Sequence, residues 1–149
     1  MDSVMREEIR VLLGLSTMTL ATCGASGEPH AAPVYFVADE ATLELYFFSE
    51  ASSQHSLDLC TNPSAAVAIY PEVWEWQAIR GLQMRGRVNI VSPGEEWQRA
   101  WQAYQRKFPF VRHLEAVVAR ARLYRFQPTW LRWIDNRYGL GHKQEWNLP

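Results

Sequence analysis

Residues 18–60 constrain this chain more than any other stretch. They read MTLATCGASGEPHAAPVYFVADEATLELYFFSEASSQHSLDLC, and Thr61-Asn62-Pro63 follows at once. Two strand-like runs flank a Gly24-Ala25-Ser26-Gly27 turn, and a third run ends in small hydroxyl residues that open a short helix. Such a chain folds as a β-meander whose third strand delivers Ser side chains and unpaired N–H groups to a helix N-terminus. A helix start of that kind is a seat for an anion.

The flanking sequence extends the same pattern. Residues 3–14 predict a helix, because Met5, Ile9, Leu12 and Leu13 repeat at the 3.6-residue period. Ser3 is the expected cap, with Glu7 and Glu8 near the positive end. Strands are predicted at 17–23, 29–38 and 42–48, with Pro29 and Pro33 marking an edge or a bulge. A helix over 52–60 and a strand over 65–70 follow, then an irregular aromatic stretch over 71–77. Residues 78–91 alternate, with Leu82, Met84, Val88 and Ile90 on one side and Gln83, Arg85, Arg87 and Asn89 on the other, interrupted by Gly86. Ser92-Pro93-Gly94-Glu95 reads as a capping box with Pro in the first turn. It opens a helix carrying the stripe Trp97, Trp101, Tyr104, Phe108, which Pro109 ends. A short helix at 110–117 and two strands at 119–127 and 129–135, broken by Pro128, complete the pattern. Residues 136–149 read as a tail loop. Six or seven strands with few helices predict a mainly β protein, a small antiparallel barrel with flanking helices.

Composition narrows the function classes. At 149 residues the chain is expected to be one domain, 1–149. A net charge of −1 gives no electrostatic reason to expect nucleic acid or an anionic membrane as partner. No run of 18 apolar residues is present and the N-terminus does not read as a signal peptide, so a cytoplasmic protein without membrane spans is expected. Cys23 and Cys60 are expected as buried, reduced thiols. The seven tryptophans all lie after residue 73 and suit a core, an interface or a planar ligand.

Candidate chemistry is sparse. The four histidines, His30, His55, His113 and His142, are scattered without metal-ligand spacing, so no metal is expected. There is no GxSxG, Walker loop or GxGxxG. Two features remain. Ser49, Ser52, Ser53, Gln54 and His55 read either as an N-cap with spare hydroxyls or as an anion seat. Arg80, Arg85 and Arg87 read either as a solvated face or as a basic rim beside that seat.

Three blocks carry a family resemblance: LATCGASGEPHAAPVYF (20–36), LYFFSEASSQHSLDLCTNPSAAVAIY (45–70) and IRGLQMRGRVNIV (79–91). In this order and spacing the chain resembles the pyridoxamine 5′-phosphate oxidase-like, FMN-binding split-barrel proteins. The tail WIDNRYGLGHK (133–143) is similar to that of an uncharacterised branch of the superfamily. The resemblance implies a six-stranded antiparallel split barrel that forms a homodimer with FMN in clefts at the interface. It implies that His30, Ala31, Ala32, Pro33 and Val34 run beside the flavin ring, that Phe48, Ser49, Ser53, Gln54 and His55 hold the phosphate, and that Gln83 approaches the cofactor or the partner subunit. It further implies a flavin-dependent oxidoreductase acting on an unknown small molecule, with His30 and Tyr35 as candidate acid or base. The alternative on the same fold is a non-enzymatic flavin or haem binding or sensing protein; deazaflavin, or no cofactor, are further options. The chain departs from the family where Ser-Arg-Lys is usual and Ser53-Gln54-His55 stands, so FMN binding is weakened unless Arg80, Arg85 or Lys143 compensates. The C-terminal Trp and Arg motif of true pyridoxamine-phosphate oxidases is not recognisable, and that activity is not expected.

Overall fold

The computed structural model describes residues 1–149. Helix α1 (Ser3–Leu13) buries Met5, Ile9, Leu12 and Leu13 against the sheet, as their spacing requires. Its cap is Asp2, whose carboxylate accepts the Met5 N–H at 2.9 Å, so the expected Ser3 cap lies one residue inside the helix. Strands β1 (Thr17–Cys23) and β2 (Pro29–Tyr35) pair antiparallel over seven residues, from Thr17 opposite Tyr35 to Cys23 opposite Pro29. Strand β2 lies at one edge of the sheet, where Pro29 and Pro33 leave no inner ladder short of a donor.

Chain reversal shortens the third predicted strand. Asp39 Oδ1 accepts from the N–H groups of Ala41 and Thr42, and Leu43 takes a left-handed φ of 62°. The residues after this Asx turn form β4 (Leu45–Ser49), while Val37–Ala38 forms the short strand β3. Helix α2 (Gln54–Thr61) and strand β5 (Ser64–Ile69) follow.

Strands β6 (Arg80–Ile90) and β7 (Arg122–Asp135) form the long central pair. Strand β7 runs unbroken through Pro128, where two strands were expected. The register shifts between Arg85 and Gly86, and Gly86 faces Pro128. A Cβ on Gly86 would lie 2.1 Å from the Gln127 carbonyl oxygen, so only glycine lets the strand pass the proline. Ile90 falls beyond the core, 53% exposed, and lines a surface groove with Cys60 and Arg122. Cys60 is exposed and Cys23 only half-buried, so the expected pair of buried thiols is not what the fold provides.

Helix α3 (Glu95–Lys107) begins after Gly94 without a side-chain cap, and Pro93 precedes it; the predicted box does not close. Its predicted stripe does face the barrel, with Tyr104 and Phe108 buried and Trp97 and Trp101 half-buried around Phe48. Helix α4 (Glu115–Arg120) follows a 3-10 turn over Pro109–Leu114. The tail is not a loop. Residues Asn136–Tyr138 make a 3-10 turn and Lys143–Asn147 makes strand β8 against β7. Asn136 ties this tail down, donating from Nδ2 to the Trp76 carbonyl at 2.8 Å and accepting the Gly141 N–H at 2.9 Å.

The sheet order is β2-β1-β5-β6-β7-β4-β3, with β8 on β7. This antiparallel sheet curls into a split barrel with helices at its flanks. The two additions to the expected six strands are the two-residue β3 and the tail strand β8. The core holds Leu20, Phe36, Leu45, Phe47, Ile69, Phe126, Leu131 and Trp133, all essentially sealed from solvent. Fully burying each such side chain contributes roughly 1.5–3 kcal/mol. Trp74 lies outside any core, 92% exposed, and Trp76 is exposed beside it.

Candidate functional site

Side chains alternate along a strand, and that alternation divides the residues predicted to line one cofactor. His30, Ala32 and Val34 point inward toward α2 and the core, while Ala31 and Pro33 point outward. Two separate constellations result, one under α2 and one on the outer face of the sheet.

The inner constellation is built where β4 ends and α2 starts. Ser49 Oγ lies 2.5 Å from His55 Nε2. Ser53 caps α2, accepting the Ser56 N–H at 3.3 Å and donating to the Glu50 carbonyl at 2.9 Å. Gln54 does not point toward the seat; its amide donates to Asp58 Oδ1 at 2.9 Å. Thr22 donates to the other Asp58 oxygen at 2.8 Å, so this buried carboxylate fixes α2 to β1. Gly24 makes room for it, since a Cβ there would meet Asp58 Oδ1 at 2.7 Å. The hydrogen bonds from Thr22 and Gln54 hold the Asp58 pKa below its ordinary 3.8. The His55 ring stacks with that of His30 at 6.3 Å between centroids. Burial, then the proximity of His30, pushes the His55 pKa below 6.5, against a smaller opposing pull from Asp58. His55 is therefore neutral at pH 7.

Phe48 does not join this group. It turns to the other side of β4 and packs edge-on against Trp101 and Tyr104 of α3, at 5.8 and 5.1 Å. The helix start thus gathers Ser49, Ser53, His55 and His30, with Ser49 bonded to Ser53 and His55 and the His30 ring stacked on His55. No Lys or Arg lies among residues 49–61, and an ionised Asp58 sits one turn along. The guanidinium at this end of the sheet is that of Arg122, the partner of Ser49 on β7, which lies beside Cys60 rather than in the helix start. This set is a poor fit to a phosphate dianion.

The outer constellation lies on two rungs that cross five strands. One rung aligns Thr19, Ala68, Gln83, Arg132 and Glu145; the next aligns Ala21, Ala66, Arg85, Trp130 and Asn147. Pro33 and Ala31 extend the two rungs onto β2. Small side chains at the β1 and β5 end leave a cleft of about 490 Å³, and Gln83, Arg85, Trp130 and Arg132 wall its other end. The Arg85 guanidinium lies 4.1 Å from the Trp130 ring centroid, and that of Arg132 at 4.9 Å. Arg132 also binds Glu145 at 2.7 and 2.9 Å and the Gln83 side-chain oxygen at 3.2 Å. A flat floor of small residues with cations at one end fits a planar ring that carries an anionic group.

Gln83 lines this cleft, with its side-chain oxygen bonded to Arg132. Thr19, Ala21, Ala66, Ala68, Trp130 and Arg132 were not singled out in the sequence. The clustered alanines of 65–68 were the available signal. The predicted basic face also divides. Arg85 and Arg87 share the outer face, whereas Arg80 falls on the Leu82 side beside Asp135. None of the four histidines lines the cleft: His30 and His55 lie under α2, His142 packs on Trp133 at 5.7 Å, and His113 is exposed on the 3-10 turn.

Comparison with known proteins gives consistent findings. The family described as pyridoxamine 5′-phosphate oxidase matches residues 5–134. The chain is similar to the UPF0306 protein YhbP of Escherichia coli, 33% identical over 122 residues that cover 80% of this chain and 78% of that protein. Among solved structures it resembles HutZ, the haem storage protein of Vibrio cholerae, with a TM-score of 0.71 and 20% identity over 82% of this chain and 88% of HutZ. It also resembles a haem binding protein of Mycobacterium smegmatis, with a TM-score of 0.80 and 18% identity over 99% of this chain and 59% of that one. At these identities the structural likeness establishes the split-barrel fold.

Proposed function

The chain belongs to the pyridoxamine 5′-phosphate oxidase family, and from that premise we propose that it is a non-enzymatic binding protein for a planar anionic cofactor of the haem class. The observation that carries this reading is the outward cleft, where small residues at Ala21, Ala66 and Ala68 adjoin the stacked pair Arg85 and Trp130. The ring would lie on the alanine floor and its carboxylates would reach the guanidinium end; the lining offers no His, Cys or Tyr, so such a cofactor would be held through its ring and carboxylates and not through a metal. The haem proteins of the same fold support the reading. A homodimer is part of the proposal, because a second copy over this face would close the open side of the cleft and exclude water from the ring. A cytoplasmic location belongs to it as well. No helix is long and apolar enough to cross a membrane.

A second reading, an FMN-dependent oxidoreductase acting on a small molecule, is favoured by the hydroxyls of Ser49 and Ser53 gathered at the α2 start beside His55. It ranks lower because Gln54 and a neutral His55 replace fixed cations there. The test is a parallel titration of the purified protein with hemin and with FMN, each followed by desalting and an absorption spectrum. Retained hemin at one per chain and loss of FMN support the first reading. Retained FMN and no hemin support the second.

A further inference from the structure

We infer that Arg85 is the anion-recognising residue of the outward cleft, and that Glu145 on the tail strand β8 withholds Arg132 from the same task. This inference rests on the cofactor reading above and specifies how the ligand is recognised. The two arginines sit on adjacent rungs and both stack on Trp130, at 4.1 and 4.9 Å. Their side chains are otherwise unlike. Arg132 is held by three polar contacts, two to the Glu145 carboxylate and one to Gln83, which orient its charge along its own rung. Arg85 is exposed and its guanidinium has no carboxylate within salt-bridge distance, so its planar fork remains available.

Stacking on Trp130 fixes the Arg85 plane before a ligand arrives, which reduces the side-chain entropy lost on binding. The cleft therefore presents one free guanidinium, at one end of a flat apolar floor. The chemistry it selects is a planar ring with an accessible carboxylate or phosphate. A second anionic group on the ring meets an arginine already neutralised by Glu145. The tail thus sets the charge of the cleft, through a residue that β8 places by pairing Glu145 opposite Arg132.

The experiment uses protoporphyrin IX as probe, which has the ring and both carboxylates but no metal, and reads its affinity by fluorescence in the full-length chain. Arg85→Gln is expected to weaken binding about tenfold or more, the usual scale for a lost charge-assisted bond. Arg85→Lys is expected to recover only part of that loss, because an ammonium cannot fork. Glu145→Gln is expected to tighten binding at least about threefold by freeing Arg132, and to steepen its salt dependence. Both sites are on the surface, and circular dichroism checks that each variant is folded. Equal affinity of wild type and Arg85→Gln overturns the assignment of Arg85. Unchanged affinity in Glu145→Gln overturns the role of the tail. A wild type that does not bind the porphyrin overturns the cofactor reading, and this inference with it.

Discussion

Ser49 Oγ and His55 Nε2 lie 2.5 Å apart and join the end of β4 to the first turn of α2. The contact uses one nitrogen of a buried imidazole whose protonation is disfavoured by burial and by the neighbouring His30. His55 is therefore expected to titrate below 6.5 in a two-dimensional NMR pH series. His30→Ala is expected to raise that midpoint, because it removes the repelling charge. An unchanged midpoint in the variant contradicts the coupling of the two rings.

Thr22 and Gln54 hold the Asp58 carboxylate in its charged form, so its folded pKa lies below the ordinary 3.8. A depressed carboxylate stabilises the fold above its unfolded pKa, and that stability is lost as pH falls from 3.8 through the folded value. Thr22→Val removes one of the two bonds. It is expected to lower the melting temperature at pH 7 by a few degrees. The drop in melting temperature between pH 5 and pH 3 is expected to be smaller in the variant than in wild type, about those two reference points. An equal drop in both contradicts the assigned role of Thr22.

Gly86 sits against the backbone of Gln127 and Pro128 at the one irregularity of the central strand pair. Gly86→Ala places a methyl where no backbone can yield cheaply. The expected cost is about 1–3 kcal/mol or more in urea denaturation, with an unchanged slope. A loss below about 1 kcal/mol contradicts the tight passage past Pro128.

Much of the fold was legible because its strands announce themselves. Leu82, Met84 and Val88 alternate with Gln83, Arg85 and Arg87, and the structure buries the first set and exposes or half-exposes the second. The tail strand was not legible. Lys143–Asn147 holds a single large apolar residue, Trp146, and it becomes a strand only because β7 offers a free edge. Pro128 misled for the opposite reason. It signals a break locally, and only Gly86 on the neighbouring strand permits continuity. The site was legible in its parts and not in its arrangement. The family resemblance sets His30 to Val34 together beside one ring, but a strand sends His30 and Ala31 to opposite faces. The rungs that unite Ala21, Ala66, Arg85 and Trp130 come from four separate strands, and no local pattern aligns them.

The cofactor is proposed to lie on the outward face of the sheet, over the small residues of β1 and β5. Ala66→Trp fills the cleft from its floor without touching α2, Ser49 or His55. The most direct measurement is a hemin titration of wild type and Ala66→Trp side by side, read in the Soret band, with circular dichroism confirming the fold. Wild type is expected to bind one hemin per chain saturably, and the variant to lose at least about tenfold in affinity. Equal binding by the two proteins contradicts that placement and moves the site to the cluster under α2.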